Sequence, residues 1–266
     1  MYAAFNFSSS GKSLPKICTG GGLTGREILR YVIHSYHHII SAENLLAAWR
    51  EFFRGKHDRV DVLEFQVRLM DHLLALHLDL KNHTYRHGPY YEFKISDPKP
   101  RLIHKAIVRD RVVHRALYRQ LYWHFYPQFI HDSYSCRVGK GVHRALDRFR
   151  TLAYRASHNH TRTLWILKCD VKKFFASIDH AILISILKRQ ISDPDLIWLL
   201  EQVISSFNSG IQGVGLPLGN LTSQLFANVY LNELDQFIKH ELKLKHYVRY
   251  AVDFVTSPLG GEVGFS

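Results

Sequence analysis

The chain has 266 residues, enough for one large domain or two closely joined domains with a buried core. It carries 35 Lys and Arg against 23 Asp and Glu, a net charge of +12, and 13% of its residues are Phe, Trp or Tyr. This balance favours a nucleic acid partner, because basic side chains neutralise phosphates and aromatic rings stack on bases. A basic soluble protein without such a partner is the alternative.

The composition also bears on location. No apolar stretch approaches the roughly 20 residues that span a bilayer, so the sequence predicts no membrane partner. The 3 cysteines are far apart and form no CxxC pair, which predicts reduced thiols and a cytoplasmic protein. The 18 histidines come without companion cysteines or an HExxH pattern, so we expect no zinc site.

The first hundred residues predict a leader, two helices and a hairpin. Runs of serine and glycine predict a flexible leader over residues 1–26. Apolar residues at helical spacing predict amphipathic helices over 42–53 and 62–80. Alternating strand patterns over 90–95 and 101–107, joined by a proline-rich turn, predict a basic β-hairpin.

A glycine-rich loop with two basic side chains follows. Gly139 and Gly141 flank Lys140, and Arg137 lies three residues before it. Glycines let a backbone approach a phosphate closely while the basic side chains supply charge. The spacing differs from that of a Walker A loop, so the sequence predicts a phosphate contact of another kind.

Two acidic positions lie about eighty residues apart. The apolar run over 164–167 predicts a buried strand that delivers Asp170 to its end. Near the C-terminus, a β-rich run is interrupted at Tyr250-Ala251-Val252-Asp253 and then resumes, which predicts a hairpin with Asp253 at its tip. Helical patterns over 195–207 and 222–240 separate the two positions.

Taken in order over residues 30–255, these stretches resemble the motifs of reverse transcriptases. The resemblance implies an α+β right-hand polymerase fold with fingers at 27–160, a palm at 161–257, no thumb, and an irregular tail at 258–266. It also implies RNA-templated addition of deoxynucleotides to a primer 3′ end. The expected partners are an RNA template, a DNA primer and dNTPs.

The resemblance assigns roles to individual residues. Asp170 and Asp253 are the expected catalytic carboxylates. Together with the carbonyl of Val171 they are the expected ligands of two Mg²⁺ ions, with Mn²⁺ as an alternative, since hard cations prefer oxygen ligands. The Phe175 ring is expected to exclude a 2′-hydroxyl group. The remaining expected nucleotide contacts are Arg101, Arg137, Lys140, Leu218 and Gly219.

One stretch indicates a subfamily. Most reverse transcriptases carry Gln before the glycine at 219 and Pro after the serine at 223, where this chain has Leu218 and Gln224. This form resembles the enzymes of diversity-generating retroelements, which implies lowered fidelity and a small basic accessory protein as a partner. In the alternative interpretation Gly219 starts a tight turn and Leu218 merely packs. A retron or group II intron enzyme is the other family alternative.

The chain departs from the family at one catalytic position. Val252 stands where the first aspartate of the Tyr-x-Asp-Asp box belongs, and valine offers no ligand on its side chain. The glycine-rich residues after 257 match neither further palm strands nor a thumb. A truncated copy, reduced to a catalytically inactive nucleic-acid-binding remnant, is therefore the main alternative to an active polymerase.

Overall fold

The computed structural model describes residues 35–96 and 100–257. The predicted leader at 1–26 and tail at 258–266 lie outside these described residues. The helices are α1 Tyr36–Ile40, α2 Ala42–Phe53, α3 Val60–Val67, α4 Leu69–Lys81, α5 Val108–Phe125, α6 Val142–Ala156, α7 Phe174–Ser177, α8 His180–Lys188, α9 Pro194–Ile204 and α10 Leu221–Gln236. The strands are β1 Tyr90–Ser96, β2 Pro100–Ala106, β3 Leu167–Asp170, β4 His246–Tyr250 and β5 Asp253–Ser257.

Helix α5 lies at the centre of the main hydrophobic core. It packs against α2 on one side and α10 on another, and its Val112, Leu117 and Leu121 are fully buried. Burying such aliphatic side chains stabilises the fold by about 1.5–3 kcal/mol each. The same cluster takes in α8 and α9, so the helices form one continuous core.

The predicted helix over 62–80 is two helices, so that prediction was wrong in part. The backbone leaves helical geometry at Arg68, where ψ is 42°, and α4 begins at the next residue. Arg68 also donates a hydrogen bond of 3.0 Å to Asp71 in the first turn of α4. The predicted apolar positions Phe65, Leu73 and Leu76 are nevertheless buried, because each helix turns its own apolar side to the core.

Two antiparallel sheets contain all five strands of the described residues. Strands β1 and β2 form the predicted hairpin, paired from Tyr90 with Ala106 to Ser96 with Pro100. The second sheet has the order β3-β5-β4, and α6 packs on β4. Helices and antiparallel strands therefore combine as the α+β prediction requires. No helix within 35–96 and 100–257 is long and apolar enough to cross a membrane.

The apolar run over 164–167 is not a buried strand, which corrects the sequence prediction. Strand β3 begins only at Leu167, and the side chains of Trp165 and Leu167 are 79% and 59% exposed. The reason is that α6 packs on β4, at the opposite edge of the sheet, whereas β3 contacts chiefly β5 within the part of the chain that the structure describes. The strand still ends at Asp170, as predicted.

Candidate active site

Asp170 and Asp253 are cross-strand partners. Asp170 is the last residue of β3, Asp253 is the first residue of β5, and the antiparallel register sets them directly opposite each other. Opposite residues of an antiparallel pair project to the same face of the sheet, with Cβ atoms about 4.5–5.5 Å apart. Both side chains are exposed, so two residues 83 positions apart present carboxylates side by side to solvent.

No residue within 35–96 and 100–257 donates a hydrogen bond to either carboxylate or forms an ion pair with it. Like charges directly opposite each other on a sheet destabilise it. The buried carboxylate of Asp235, by contrast, is paired with Arg249. The arrangement therefore suits an external cation.

The turn before Asp253 consists of Ala251 and Val252. Tyr250 and Asp253 pair across it, as the hairpin prediction requires, and Ala251 has a φ of 55°. Val252 is half-buried and packs against the main core. The structure thus places an apolar side chain in the turn, directly before Asp253.

The oxygen atoms near the turn are of the type that coordinates a hard divalent cation. Two carboxylates and the backbone carbonyl of Val171, which follows Asp170 directly, match the ligands that Mg²⁺ or Mn²⁺ prefers. No group of three or more His, Cys, Asp or Glu side chains within the described residues could hold a metal ion. The carbonyl, a nucleotide phosphate and water would have to complete the coordination, since Val252 contributes nothing.

The two phenylalanines after Asp170 differ in environment. Phe174 is 6% exposed and packs edge-on against Phe175 and Tyr230, so it is the core aromatic of the pair. Phe175 is only half-buried. Its carbonyl accepts a hydrogen bond of 2.7 Å from the amide of Leu216, which brings the loop before α10 beside it. Phe175 is thus the ring of the two that remains accessible.

The loop with Leu218 and Gly219 joins the hairpin. The carbonyl of Leu218 accepts a hydrogen bond of 2.8 Å from the amide of His104, and Asn220 donates one of 3.0 Å to the His104 carbonyl. Gly219 has a φ of 107°, and a Cβ atom there would lie 2.7 Å from Cγ2 of Ile103. Glycine is therefore required here by packing as well as by backbone conformation.

A buried histidine supports this junction. The Nδ1 atom of His114 lies 2.6 Å from the Thr222 hydroxyl, and its Nε2 atom lies 3.1 Å from Nε2 of His87. Burial, together with the nearby charges of His87 and Arg111, lowers the pKa of His114 to about 3. The side chain is therefore neutral across the physiological range.

Arg101 lies on β2, opposite Ile95 and close to the end of the hairpin, and its side chain is exposed. Lys94, opposite Leu102, is exposed on the neighbouring strand. The hairpin thus presents basic side chains to solvent near its turn. Lys99 lies outside the described residues.

The Arg137 side chain does not point into open solvent. The Arg137 side chain is 9% exposed, donates hydrogen bonds of 2.6 and 2.9 Å to the carbonyls of Ile130 and Ser133, and stacks on Tyr126. The phosphate contact predicted for Arg137 therefore conflicts with its internal position.

Lys140 keeps partial access to solvent. Its ammonium group donates a hydrogen bond of 2.8 Å to the carbonyl of His131 and lies over the ring of Tyr134. Both basic side chains of the glycine-rich loop thus contribute to holding that loop in place. Lys140 alone can still reach a ligand by releasing an exposed hydrogen bond.

Sequence reasoning missed the residues that lie behind the turn. Arg249 is fully buried and donates to the equally buried carboxylate of Asp235. The available signal was a charged residue in a strand whose neighbours, Tyr247, Val248 and Tyr250, are apolar or aromatic. A buried charge in such a strand needs a partner of opposite sign.

Comparison with known families supports one assignment. The sequence model described as "Reverse transcriptase (RNA-dependent DNA polymerase)" matches residues 94–257. Protein YkfC of Escherichia coli strain K12 is 30% identical over 202 residues, which cover 72% of this chain and 51% of that protein. The group II intron-encoded protein LtrA of Lactococcus lactis subsp. cremoris is 27% identical over 174 residues, 62% of this chain and 28% of LtrA.

Solved structures agree with the fold. A chain of the partial Cas6-RT-Cas1–Cas2 complex superposes with a TM-score of 0.52 at 23% identity, covering 85% of this chain and 38% of the other. The chain spans about half the length of YkfC and a smaller share of LtrA. The family match covers most of the chain, including both aspartates and the whole β3-β5-β4 sheet. The chain therefore belongs to the reverse transcriptases, the family of RNA-directed DNA polymerases.

Proposed function

We propose that this chain forms the fingers and palm of a bacterial retroelement reverse transcriptase that adds dNTPs to a DNA primer on an RNA template. The observation that carries the proposal is the pairing of Asp170 with Asp253, two exposed carboxylates without a cation from the described chain. Family membership gives this pair a chemical purpose, since RNA-directed DNA synthesis is the reaction of the family.

In this proposal Asp170, Asp253 and the Val171 carbonyl hold the divalent cations. Bound Mg²⁺ or Mn²⁺ supplies charge stabilisation to the attacking 3′-hydroxyl group and to the leaving pyrophosphate. The half-buried Phe175 lies beside the nucleotide sugar, where an aromatic ring excludes a 2′-hydroxyl. The exposed Arg101 binds the triphosphate, for which a planar guanidinium with paired donors is well suited.

The loop around Leu218 lines the same site in the proposal. Its hydrogen bonds to His104 hold it against the hairpin that carries Arg101. Lys140 remains a phosphate contact after releasing its exposed bond. Arg137 is left out of the nucleotide site, because its guanidinium is bonded to carbonyls inside the loop.

Two retroelement classes remain as alternatives for the biological role. Similarity to an intron-encoded protein such as LtrA supports a group II intron type. Leu218 in place of the usual glutamine supports a diversity-generating type, which would work with a small basic accessory protein. The solved Cas6-RT-Cas1–Cas2 complex is in keeping with protein partners in general. Misincorporation opposite template adenines, measured by sequencing the cDNA, would indicate the diversity-generating type, and uniform fidelity would indicate the intron type.

A second candidate function rests on Val252. An apolar side chain replaces an expected metal ligand, and removing one group that stabilises a transition state already costs about 10²–10³ in rate. The chain would then bind primer and template through its basic surface without extending the primer. The charge of +12 suits this role equally well.

Primer extension on an RNA template separates the two functions. The assay compares the unaltered protein with Val252→Asp and Asp253→Asn, in Mg²⁺ and in Mn²⁺. Under the polymerase proposal the unaltered protein extends the primer, Val252→Asp raises the rate, and Asp253→Asn abolishes it. If only Val252→Asp extends, the unaltered chain is a binding protein on an intact polymerase site. If no variant extends while all bind the primer–template, the polymerase proposal fails.

A further inference from the structure

Arg249, on β4, forms a bidentate ion pair with Asp235, on α10. Its Nε donates to Oδ1 of Asp235 at 2.8 Å and its Nη2 donates to Oδ2 at 2.7 Å. The hydroxyl of Tyr247 donates to the same carboxylate at 2.7 Å. Both charged side chains are 0% exposed, so the pair is sealed from solvent.

The other donors of Arg249 bind groups on three different segments. Nη1 donates to the carbonyl of Ala251 at 2.9 Å and to Oδ1 of Asn228 at 3.3 Å, and Nη2 donates to the hydroxyl of Ser133 at 3.2 Å. A guanidinium has five N–H groups, and all five are used here. Lysine, with three donors from one atom, cannot reproduce this fork.

One of these acceptors lies in the turn that carries the metal site. Ala251 has a φ of 55°, a conformation that residues with a side chain rarely adopt. Such a conformation persists when the surrounding structure enforces it. The bond from Arg249 to the Ala251 carbonyl is one enforcing contact, and Asp253 follows two residues later.

The same strand position also connects the turn to the loop before Arg137. The amide of Arg249 donates to the carbonyl of Asp132 at 2.9 Å, and the amide of Tyr134 donates to the carbonyl of Arg249 at 2.9 Å. Asn228, on α10, donates to the carbonyl of Ser135 at 3.0 Å. Arg249 is thus the residue at which strand, turn, helix and loop meet.

Fold stability alone does not explain this arrangement. Replacing a buried ion pair by apolar residues of similar volume is often neutral or stabilising, so a core of this kind does not require the pair. What apolar residues cannot supply is a directed hydrogen bond to the turn carbonyl. Holding the turn is therefore a role that Arg249 can fill and an apolar residue cannot.

We propose that Arg249, oriented by Asp235, is a positioning residue that holds the Ala251–Val252 turn so that Asp253 faces Asp170 at the distance a divalent cation needs. This inference rests on the proposed function for the role of the cation. Whether Arg249 holds the turn does not depend on the cation, and hydrogen exchange of the turn measures it separately.

The experiment uses two Arg249 variants. One is Arg249→Lys, and the other is a double variant that combines Arg249→Met and Asp235→Leu. Both are compared with Tyr247→Phe. The phenylalanine variant is the matched control, since it removes one buried hydrogen bond to Asp235 and leaves every donor of Arg249 in place. Three properties are measured for each protein: the melting temperature in EDTA, hydrogen exchange of a peptide spanning 250–254, and the dissociation constant for Mn²⁺ by electron paramagnetic resonance.

We expect both Arg249 variants to speed exchange in the turn peptide and to weaken Mn²⁺ binding at least tenfold. The double variant also leaves the buried Tyr247 hydroxyl without its acceptor, so its melting temperature should fall at least as far as that of Tyr247→Phe. Tyr247→Phe should lower the melting temperature without changing either of the other properties. Should the double variant not fold, Arg249→Lys keeps the charge beside Asp235 and provides the same comparison.

The positioning role is overturned if folded Arg249 variants exchange the turn amides and bind Mn²⁺ as the unaltered protein does. It is also overturned if Tyr247→Phe produces the same losses, because the effect would then follow general destabilisation. Failure of the proposed function has a different result: the unaltered protein would show no Mn²⁺ binding that Asp253→Asn removes. In that case the exchange of the turn peptide still decides whether Arg249 holds the turn.

Discussion

A Cβ atom on Gly219 would lie 2.7 Å from Cγ2 of Ile103. Since side-chain and backbone atoms essentially never approach so closely, the loop before α10 can follow its path against β2 only with glycine at this position. The contact holds β2 directly against the loop that carries Leu218. The glycine at 219 therefore has a packing origin, whereas Gly210 and Gly213 earlier in the loop have open space around them.

Gly219→Ala should destabilise the protein by more than the backbone strain alone. Its φ of 107° costs an L residue about 1–3 kcal/mol, and the clash with Ile103 adds to that cost. Gly210→Ala is the control, since Gly210 has a similar φ of 96° and open space around it. Urea unfolding of both variants measures the difference. Equal losses for the two would contradict the packing argument, whereas adding Ile103→Ala should recover part of the Gly219→Ala loss.

Stability should fall in mild acid because of His114. Burial depresses the folded-state pKa to about 3, below the ordinary value of 6.5. Between these values the unfolded chain binds a proton that the folded protein does not, so stability is full above pH 6.5 and is lost as the pH falls. At pH 5 the loss from this one residue is about 2 kcal/mol.

The check is urea unfolding at pH 7.5 and pH 5.0 for the unaltered protein, His114→Gln and the exposed control His143→Gln. The unaltered protein and His143→Gln should lose the same free energy of unfolding between the two pH values. His114→Gln starts lower but should lose about 2 kcal/mol less over that interval. An identical pH dependence in all three proteins would show that His114 does not titrate as its burial implies.

Binding of a primer–template should weaken steeply with salt. Each phosphate neutralised by a basic side chain contributes about −0.9 to the slope of log K against log salt on duplex B-form DNA, and somewhat less on other forms. Lys94→Ala with Arg101→Ala should therefore reduce the slope by up to about 2. Lys243→Ala is the control, because Lys243 is exposed before β4, at the end of that strand remote from the turn. An unchanged slope in the double variant would remove the hairpin from the binding surface.

Phe175→Ala should relax sugar selection in an active background such as Val252→Asp. The half-buried ring is the expected barrier to a 2′-hydroxyl, and removing such a barrier changes discrimination by about 10–200-fold. Phe174→Leu is the control, since Phe174 is buried in the core and its truncation should lower stability without changing selection. The measurement is the ratio of incorporation of dATP to ATP. Equal ratios for Val252→Asp with Phe175 intact and for Val252→Asp with Phe175→Ala would exclude the ring as the barrier.

Much of the fold follows from local sequence patterns. Three elements were predictable: the β1-β2 hairpin, the helix over 42–53 and the turn between β4 and β5. The spacing of apolar residues in each reflects which of its faces is buried. The run over 164–167 misled because apolar composition does not reveal which strand a helix covers, and α6 packs on β4 rather than on β3. The break at Arg68 also lacks a glycine or proline that would announce it.

The two carboxylates of the candidate site were predictable, but the buried residues that pack behind them were not. Motif resemblance indicated Asp170 and Asp253, although only the register of β3 with β5 shows that they are neighbours. The burial of Arg137 and the network of Arg249 depend on partners that are distant in sequence, such as Asp235, and no local pattern specifies them. Contacts of this kind become visible only when the chain is folded.

The central claim is that Asp170 and Asp253 form a cation site, and the most direct measurement is metal-linked thermal stability. The unaltered protein, Asp170→Asn and Asp253→Asn are melted in EDTA and in Mn²⁺ at ten times its dissociation constant, at constant ionic strength, with the exposed Asp71→Asn as control. Mn²⁺ should raise the melting temperature of the unaltered protein and of Asp71→Asn by roughly 3–5 °C. Both site variants should gain nothing from Mn²⁺ and should melt slightly higher in EDTA, because one of two opposed charges is gone. The same Mn²⁺-induced gain in all four proteins would contradict the claim.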